Sequence, residues 1–371
     1  MVIIIRSNEV NPDPRVQKYV DFMKSKGIPY IILAWNRGGN TIHKENCVYF
    51  ERNAQYGAGI RNIPKKIMWF LFVIHYLVKH KNEYTVVHAC DFDAAFPAYL
   101  AHLVTHKRYI FDVFDWIDGD VHKGWFLKMV AKLQSHVAKR ADVLIVCEEE
   151  RKEQINIIHD RILVMPNIPS ADYVDDYEVI DEIRRQRTVC ELVVSYVGVF
   201  DSNRGLEDIL RVARNNKTIF FNFAGFGRHE ELILQSSLES DNIKYWGKVD
   251  YNTGLNIMKN SDLIMALYYL TNPVHRYAAP NKFYEGLMLG VPIVTTQGTL
   301  VGNKTLRYGT GFVITEGELA LVGLLGSHDL KGSMMDKSEN ARRLWEETYK
   351  NYVDDFMEQE YMRIVNATEE M

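Results

Sequence analysis

Short runs of apolar, β-branched residues alternate with amphipathic stretches along most of the chain. The apolar runs predict strands, and the stretches between them have the spacing of amphipathic helices. Continuous apolar strands that alternate with helices are typical of parallel sheets covered on both faces, which is the doubly wound α/β class. The predicted strands cover 2–5, 29–35, 85–89, 108–113, 142–147, 192–198, 218–225, 243–247, 262–268 and 291–296, and the predicted helices cover 15–26, 61–80, 123–140, 205–214, 251–260 and 281–289.

The series of strands is interrupted once, over the polar and strand-poor stretch 166–191. A chain of 371 residues suits two domains of ordinary size. We therefore predict an N-terminal Rossmann-like domain over 1–167 and a second one over 168–345. A charged helical pattern closes the chain, and we predict that its last part, 346–371, packs back onto the first domain.

Composition and charge narrow the class of protein. The chain is 47% hydrophobic and 25% charged, as in a globular protein, and its net charge of −4 gives no support for nucleic-acid binding. The four cysteines lie far apart, so we expect reduced thiols in a cytosolic protein. The chain opens on strand-like "VIII", so we expect no signal peptide. We therefore expect the protein in the cytoplasm, either free or bound peripherally to the inner face of the cytoplasmic membrane.

Two loops of the second domain follow strands, at the edge where doubly wound sheets bind ligands. In "VGVFDSNRGLEDIL" (197–210), the strand ends at Gly198 and Arg204 stands at the start of a helix, where an arginine suits a phosphate. In "FAGFGRHEELIL" (223–234), Gly225 and Gly227 allow the backbone to approach a ligand. A solvated surface arginine and a tight turn explain these features as well, so both interpretations stay open.

A third loop, "RYAAPNKFYEGLMLGVPIVTT" (276–296), places a lysine and a glutamate at the start of a buried helix. Pro280 fits the first helical turn, because it lacks the N–H that would go unpaired there. Lys282 near the helix N-terminus is disfavoured by the helix dipole, and an anionic ligand would offset that cost. Glu285 can accept two hydrogen bonds, which suits a ribose diol. The alternative is a surface Lys–Glu pair worth a few tenths of a kcal/mol.

In their order and spacing, these segments resemble the retaining glycosyltransferases of family 4, which have the GT-B architecture of two Rossmann-like domains facing a cleft. The resemblance extends over nearly the whole chain. It implies transfer, with retention, of a sugar from a UDP- or GDP-sugar to a glycan or lipid-linked glycan, in cell-surface polysaccharide synthesis. It also implies that no metal or other cofactor is needed. The segments that carry it are 13–28, 86–101, 165–170, 196–210, 223–234, 244–250 and 280–296.

The resemblance also assigns the donor site. Arg204 and Lys282 would hold the diphosphate and stabilise the charge of the leaving group as catalytic cations, and Glu285 would hold the ribose. The sequence departs from the family at two points: Tyr277 stands where the first of two signature glutamates is usual, and Val199 replaces a common arginine. The donor-binding residues implied are Gly198, Arg204, Gly225, Gly227, Lys248, Val249, Tyr277, Ala278, Ala279, Asn281, Lys282 and Glu285.

The acceptor is expected in the first domain. Phe114 stands where the family often has a histidine, so Asp115 becomes the polar candidate for acceptor contact and for a catalytic role. Arg15 and Asp91 complete the predicted acceptor-binding set. The "DFD" motif at 91–93 has the form that binds metal in the other glycosyltransferase architecture, yet it follows a strand here, and we expect no metal.

The stretch "PKKIMWFLFVIHYLVKHK" (64–81) is basic at both ends and apolar in the middle. It is too short to span a bilayer, which needs about 20 apolar residues. It predicts either a helix in a membrane interface or a core helix of the first sheet. In the first case a basic and aromatic face would rest on the lipid, formed by Arg61, Lys65, Lys66, Trp69, Phe70, Phe72, Lys79 and Lys81. Both remain open, so a membrane surface is a further candidate partner.

Three rival functions follow from the same architecture. A nucleotide-sugar epimerase would need catalytic carboxylates and histidines and would act without an acceptor. A non-catalytic sugar-nucleotide-binding protein is favoured by the missing first glutamate. A nicotinamide oxidoreductase is disfavoured, because no GxGxxG follows the first strand.

Overall fold

The computed structural model describes residues 1–8, 13–38, 43–54, 59–118, 124–169 and 173–366. The chain divides into two compact units: Met1–Pro166 with Val353–Met371 form unit 1, and Asn167–Tyr352 form unit 2. Each unit is built around its own parallel sheet. The predicted class of two doubly wound, Rossmann-like domains is therefore confirmed. Residue 123, which opens a predicted helix, and residue 170, which ends the 165–170 segment, lie outside the described residues.

The sheet of unit 1 has seven strands in the order β3-β2-β1-β4-β5-β6-β7, all paired in parallel. Its strands are β1 Val2–Arg6, β2 Tyr30–Asn36, β3 Cys47–Glu51, β4 Val86–Cys90, β5 Arg108–Val113, β6 Val143–Val146 and β7 Ile162–Val164. Its helices are α1 Pro14–Ser25, α2 Ile63–Lys79, α3 Phe92–Thr105, α4 Trp125–Arg140 and α5 Arg151–Ile155, with a 3-10 turn at Gly59–Asn62.

Helix α2 packs on this sheet through an apolar stripe of four-residue spacing: Trp69, Val73 and Leu77 are fully buried. The Trp69 indole stacks on Trp35 of β2, with ring centroids 5.8 Å apart. Of the two alternatives for residues 64–81, the lipid contact predicted for Trp69 is therefore wrong, since its ring belongs to the core. The cause is that an amphipathic pattern identifies an apolar stripe but not what covers it.

The C-terminal segment of the chain packs into unit 1. Tyr361 is fully buried, and its ring lies 4.8 Å from the ring of Tyr19 on α1. Arg108 donates to the carbonyl of Ile364 at 2.9 Å, and Lys26 forms an ion pair with Glu358 at 2.5 Å. The segment comprises α14 Tyr352–Phe356, a π-helical turn at Met357–Tyr361 and α15 Met362–Asn366.

Unit 2 contains six parallel strands in the order β10-β9-β8-β11-β12-β13. The strands are β8 Leu192–Phe200, β9 Ile219–Gly227, β10 Ile243–Tyr245, β11 Leu263–Ala266, β12 Ile293–Thr296 and β13 Gly311–Ile314. The helices are α6 Tyr177–Gln186, α7 Leu206–Asn215, α8 Glu230–Glu239, α9 Tyr251–Lys259, α10 Asn281–Leu289, α11 Leu300–Tyr308, α12 Glu318–Leu325 and α13 Leu330–Leu344, with a 3-10 turn at Pro273–Tyr277 and a π-helical turn at Trp345–Tyr349.

Helix α10 lies directly against the sheet because it contains a glycine at the contact. A Cβ on Gly286 would stand 2.8 Å from Ile293 Cγ2 and 2.9 Å from the carbonyl oxygen of Val291. The helix ends at Gly290, whose φ of +66° is the left-handed conformation of a helix C-cap. This close packing holds the first turn of α10 at the carboxyl edge of the sheet.

Within the described ranges, no helix combines the length and the hydropathy that crossing a bilayer would require.

Candidate nucleotide-binding site in unit 2

Three glycines lie together where β8 and β9 end. Gly198, Gly225 and Gly227 have φ values of +147°, +145° and +144°, which L side chains rarely adopt. A Cβ on Gly225 would stand 1.8 Å from the carbonyl oxygen of Gly198, and one on Gly227 would stand 2.4 Å from that of Phe200. These positions therefore require glycine, and they leave bare backbone at the carboxyl edge of the sheet, where a ligand can approach closely.

The first turn of α10 lies beside this backbone. Lys282 Nζ is 3.5 Å from the point where a Cβ on Gly198 would stand, and the Lys282 side chain is only 16% exposed. Pro280 occupies the N-cap position, one residue before the first turn in which it was predicted, and provides no side-chain cap. The uncapped positive end of the helix and the Lys282 ammonium thus concentrate positive charge next to the glycines.

Glu285 is a buried carboxylate with one oxygen available. Its side chain is 4% exposed, and Oε1 accepts a hydrogen bond of 3.1 Å from the Tyr251 hydroxyl. Oε2 lies 3.7 Å from Lys282 Nζ and has no hydrogen-bond partner among the described residues. Because buried polar atoms are normally paired, a buried carboxylate oxygen without a donor indicates a position for a ligand hydroxyl. Burial and the neighbouring carboxylate of Glu285 raise the pKa of Tyr251, so this hydroxyl stays a donor.

Arg204 lies in the loop between β8 and α7. Its guanidinium carbon is 4.4 Å from the centroid of the Tyr268 ring, a cation–π contact that helps to position the guanidinium. Gly205 at the N-cap of α7 has φ of +66° and no capping side chain, so this helix too begins with unpaired N–H groups.

Tyr268 connects Arg204 to the α10 residues. Burial raises its pKa to about 12, while the charge of Arg204 lowers it and that of Glu285 raises it. Both charges therefore act on the ionisation of this one hydroxyl. The structure thus brings together Arg204, Lys282, Glu285 and the glycine edge, which the sequence predicted on three separate loops.

His275 lies beside these residues, in the 3-10 turn that precedes α10. Its ring lies 5.7 Å from the Tyr268 ring, and its Nδ1 contacts the carbonyl oxygen of Tyr269 at 2.9 Å. A carbonyl only accepts, so Nδ1 carries the proton. Burial, followed by the charge of Arg204, lowers the pKa of His275, which favours the neutral ring.

Sequence reasoning missed Tyr251, Tyr268 and His275 as site residues. Tyr251 directly follows the 244–250 segment, and Tyr268 ends the predicted strand 262–268, so both stood at strand or segment ends where ligand contacts gather.

The remaining predicted donor residues occupy varied environments, and their roles stay predictions. Lys248 is exposed, with Nζ 4.9 Å from the Phe226 ring, whereas Val249 packs against the core of unit 2. The carbonyl oxygen of Ala279 accepts from the Asn167 side chain at 3.1 Å, and the Ala278 N–H donates to the carbonyl oxygen of His275 at 3.1 Å. Tyr277 is half-buried and Asn281 is exposed.

In unit 1, Asp91 follows β4 and forms hydrogen bonds with residues at the ends of β1 and β5. Its φ of +68° is a strained conformation for a residue with a side chain. Its Oδ1 accepts from the N–H groups of Phe114 and Asp115 at 3.0 and 3.1 Å, and Oδ2 pairs with Arg6 at the end of β1. Burial raises the pKa of Asp91 to about 6 against the charge of Arg6, and Asp115 adds to the rise. Asp91 and Asp115, two of the three predicted acceptor residues, are therefore neighbours.

Arg15, the third predicted acceptor residue, lies in a different environment. It is 6% exposed, its Nη2 pairs with Asp112 at 2.7 Å, and its Nη1 donates to the carbonyl oxygen of Met165 at 2.6 Å. Asp112 also accepts from the Tyr19 hydroxyl at 2.9 Å. The Arg15 guanidinium is therefore held inside unit 1 by these contacts. Its contact with an acceptor stays a prediction, and the burial of the side chain argues against that contact.

In the ranges that the structure describes, His88, Cys90 and Asp112 have possible metal-ligand atoms within 4.8 Å of one another. Each carboxylate oxygen of Asp112 already accepts from Arg15, and His88 contacts Asp112 at 3.3 Å and the Tyr361 hydroxyl at 2.9 Å. A metal ion bound by these three side chains would lie next to the positively charged Arg15 guanidinium. His88, Cys90 and Asp112 therefore fit a hydrogen-bonded core network better than a metal site.

The "DFD" motif does not offer a free carboxylate at Asp93 either. Asp93 forms an ion pair with Lys66 at 2.7 Å, so a cationic side chain is already its partner.

Solved structures with the same fold include several that act on or bind sugar nucleotides. HepE from Anabaena, in complex with UDP and glucose, matches with a TM-score of 0.67 and 17% identity over 93% of this chain and 94% of that one. Sucrose-phosphate synthase from Thermosynechococcus elongatus matches with a TM-score of 0.72 and 13% identity over 99% of both chains. A UDP-N-acetylglucosamine 2-epimerase matches with a TM-score of 0.59 and 13% identity over 95% of this chain and 96% of that one.

No family model and no curated protein matches the sequence. At identities this low, the matches concern the fold, and they confirm the predicted GT-B class.

Proposed function

We propose that the protein is a glycosyltransferase that moves a sugar, with retention, from a UDP- or GDP-sugar to a glycan or lipid-linked glycan. It acts in the cytoplasm, in the synthesis of cell-surface polysaccharide. The observation that carries this proposal is the buried carboxylate of Glu285, whose Oε2 has no donor among the described residues and lies 3.7 Å from Lys282 Nζ. Two adjacent ribose hydroxyls would supply the missing donors. The complexes of HepE with UDP and with UDP-glucose support the same ligand class.

The site offers each part of a nucleoside diphosphate a partner of matching chemistry. Glu285 accepts from the ribose diol, and the Tyr251 hydroxyl holds that carboxylate in place. The Lys282 ammonium and the bare backbone at Gly198 suit the diphosphate. Arg204, in cation–π contact with Tyr268, supplies a second cation at the start of α7. Fixed cations and unpaired helix N–H groups stabilise the negative charge that develops when the diphosphate leaves.

The reaction breaks the bond between the anomeric carbon and the diphosphate oxygen, and it forms a bond from that carbon to an acceptor oxygen. The acceptor's proton passes to the departing phosphate oxygen, as the resemblance to family 4 implies. The side chains of unit 2 then serve to bind, orient and neutralise, and a protein nucleophile is not required.

Replacing Glu285 with glutamine tests the proposal. We expect UDP and uridine to bind about tenfold more weakly, because the hydrogen bonds to the ribose lose their charge and because the amide can present its NH2 group, which does not accept, at the position of Oε2. Isothermal titration calorimetry measures the change. Glu231→Gln, an exposed position on α8, should bind like the parent. Unchanged uridine affinity in the Glu285→Gln variant would contradict the assignment of Glu285 to the ribose. Failure of the parent to bind any UDP- or GDP-sugar would contradict the proposed function itself.

Transfer is expected to survive chelation, since lysine, arginine and helix N–H groups provide the positive charge that a metal supplies elsewhere. The measurement is UDP affinity and sugar transfer in EDTA, compared with the same protein in manganese. Activity that vanishes in EDTA and returns with manganese would contradict this expectation.

An epimerase is the second candidate, because a UDP-N-acetylglucosamine 2-epimerase is among the solved structures with this fold. Burial also raises the pKa of Asp91 to about 6 against the charge of Arg6, and a carboxyl group with a raised pKa suits proton exchange near neutral pH. The two functions separate cleanly by product analysis. An epimerase isomerises the donor sugar in the absence of any acceptor, whereas the proposed transferase releases nucleotide when an acceptor is present. Tight binding with neither product would indicate a sugar-nucleotide-binding protein without catalysis.

A further inference from the structure

A lysine on α11 is buried against the first turn of α10. Lys304 is 5% exposed, and its Nζ donates a hydrogen bond of 2.7 Å to the hydroxyl of Tyr284, which is fully buried. The ammonium also lies 4.6 Å from the centroid of the Phe283 ring, 4.7 Å from that of Tyr284 and 5.7 Å from that of Tyr349. These four residues, Phe283, Tyr284, Lys304 and Tyr349, form what we call the lysine cage, and all of them belong to unit 2.

The cage places a charged side chain at a position that faces the core. On α11 the neighbouring residues Val301 and Thr305 are buried as well. Burying an ammonium costs free energy, and hydrogen bonds and cation–π contacts offset that cost when the aromatic rings are well placed. Replacing buried ionic groups by apolar side chains of similar volume is often neutral or stabilising. Stability alone therefore gives no reason for a lysine at this position.

The cage contacts the side of α10 that lies behind Lys282 and Glu285. Successive residues of an α-helix are rotated by about 100°, so Lys282 and Glu285 project from one side of the helix, within about 60° of each other. Phe283 and Tyr284 project from the other side, where both rings are buried. Pro280 provides no side-chain cap for this turn, so packing on its buried side must supply the order that a cap would otherwise give. The cage therefore lies where it can fix the directions of Lys282 and Glu285.

We propose that Lys304 is a positioning residue for the nucleotide site. By holding Phe283 and Tyr284, it fixes the rotation of the first turn of α10 and with it the places of Lys282 and Glu285. Lys304 acts through the helix, without touching the nucleotide. A cation and a carboxylate that are fixed before binding lose less conformational entropy when the ligand arrives. The effect on affinity rests on the proposed function, whereas the ordering of α10 can be measured without nucleotide.

Hydrogen–deuterium exchange of the nucleotide-free protein tests the ordering of α10. Lys304→Met keeps most of the side-chain volume and removes the ammonium. We expect amide exchange over Asn281–Leu289 to become at least about fivefold faster, since losing the hydrogen bond and the cation–π contacts makes local opening easier. Tyr284→Phe, which removes only the hydroxyl, should shift exchange in the same direction, and β8 should exchange as in the parent. Lys337→Met is the matched control, because Lys337 Nζ lies 4.8 Å from the Phe312 ring, and it should leave α10 unchanged.

A double-mutant cycle connects the cage to the nucleotide site. In calorimetric titrations, Lys304→Met should weaken binding of UDP, or of GDP if the parent prefers it, by about three- to tenfold, the scale of ordering one or two side chains. In a Lys282→Ala background the same change should cost about twofold or less, because one of the positioned groups is already absent. A purely structural role would give the same loss in both backgrounds.

Three outcomes would overturn the proposal. They are α10 exchange that is unchanged in both Lys304→Met and Tyr284→Phe, nucleotide affinity of Lys304→Met equal to that of the parent, and a loss of affinity that is the same with and without Lys282. A parent that binds no UDP- or GDP-sugar would contradict the proposed function, and the exchange measurement would still decide the role of Lys304.

Discussion

Replacing Asp112 with alanine is expected to lower the free energy of unfolding by about 3–5 kcal/mol, because the change leaves a charge buried without its partner. Arg15 is 6% exposed, and its guanidinium donates to both oxygens of Asp112. The Tyr19 hydroxyl and His88 lose an acceptor in the same step. Urea denaturation followed by circular dichroism measures the loss, with the slope of the transition checked for two-state behaviour.

Two further variants separate the lost ion pair from a general effect of mutation. Arg15→Met combined with Asp112→Leu removes both charges, so this double variant should be more stable than Asp112→Ala alone. Asp354→Ala, at an exposed position of the C-terminal segment, should unfold like the parent. A double variant that is less stable than Asp112→Ala would show that the ion pair itself is not what the single change loses.

The effect of Asp112 should depend on pH in a definite direction. Although burial opposes it, the charge of Arg15 and the hydrogen bonds from His88 and Arg15 hold the pKa of Asp112 well below its ordinary value of 3.8. The ionised carboxylate therefore stabilises the fold above that value, and the stabilisation is lost as the pH falls through the folded-state pKa. Asp91 has the opposite sign: its pKa is raised to about 6, so its ionisation costs stability as the pH rises from about 4 through 6.

The alternation of apolar runs and helices predicted ten of the strands. The three strands that it missed all lie at the edge of a sheet. They are β3, β7 and β13. An edge strand is covered less completely, and β7 has only three residues, all half-buried, so the apolar run is short. Helix α6 lies inside the stretch 166–191 that looked like a linker, because its buried side chains are few: Val179, Ile183 and Gln186.

In the candidate site, site residues that lie on one loop could be predicted from the sequence. Contacts that join residues from different loops could not. Lys282 and Glu285 share one turn of α10, so their charge at a helix start was visible in the sequence. The hydrogen bond from Tyr251 to Glu285 joins residues 34 positions apart, and the contact of Arg204 with Tyr268 joins a loop to a strand end. Such contacts depend on the order of strands in the sheet, which local patterns do not encode. For the same reason, the sequence identified the apolar stripe of α2 without showing that its aromatic side faces the sheet.

Replacing Lys282 or Arg204 with alanine is expected to weaken UDP binding by about 1.5–3 kcal/mol each, the scale of hydrogen bonds to charged groups. That corresponds to roughly ten- to hundredfold in the dissociation constant. Lys282 Nζ lies beside the bare backbone of Gly198, and Arg204 lies on Tyr268 at the start of α7, so both cations adjoin uncapped helix starts. Removing both should weaken binding more than either single change does. Lys331→Ala, at an exposed position on α13, should have no effect.

The choice of ligand makes this prediction specific to the diphosphate. If the two cations contact phosphate oxygens, the alanine variants should lose affinity for UDP while their affinity for uridine stays close to that of the parent. Glu285→Gln should instead weaken both ligands, because the ribose is common to them. Added salt should weaken UDP binding by the parent more than UDP binding by the variants, since salt ions screen the diphosphate charge from the two cations during association. Calorimetric titration of UDP and uridine into the variants supplies these comparisons. An equal loss for uridine and UDP in the lysine and arginine variants would place the cations elsewhere in the site and would contradict the diphosphate assignment.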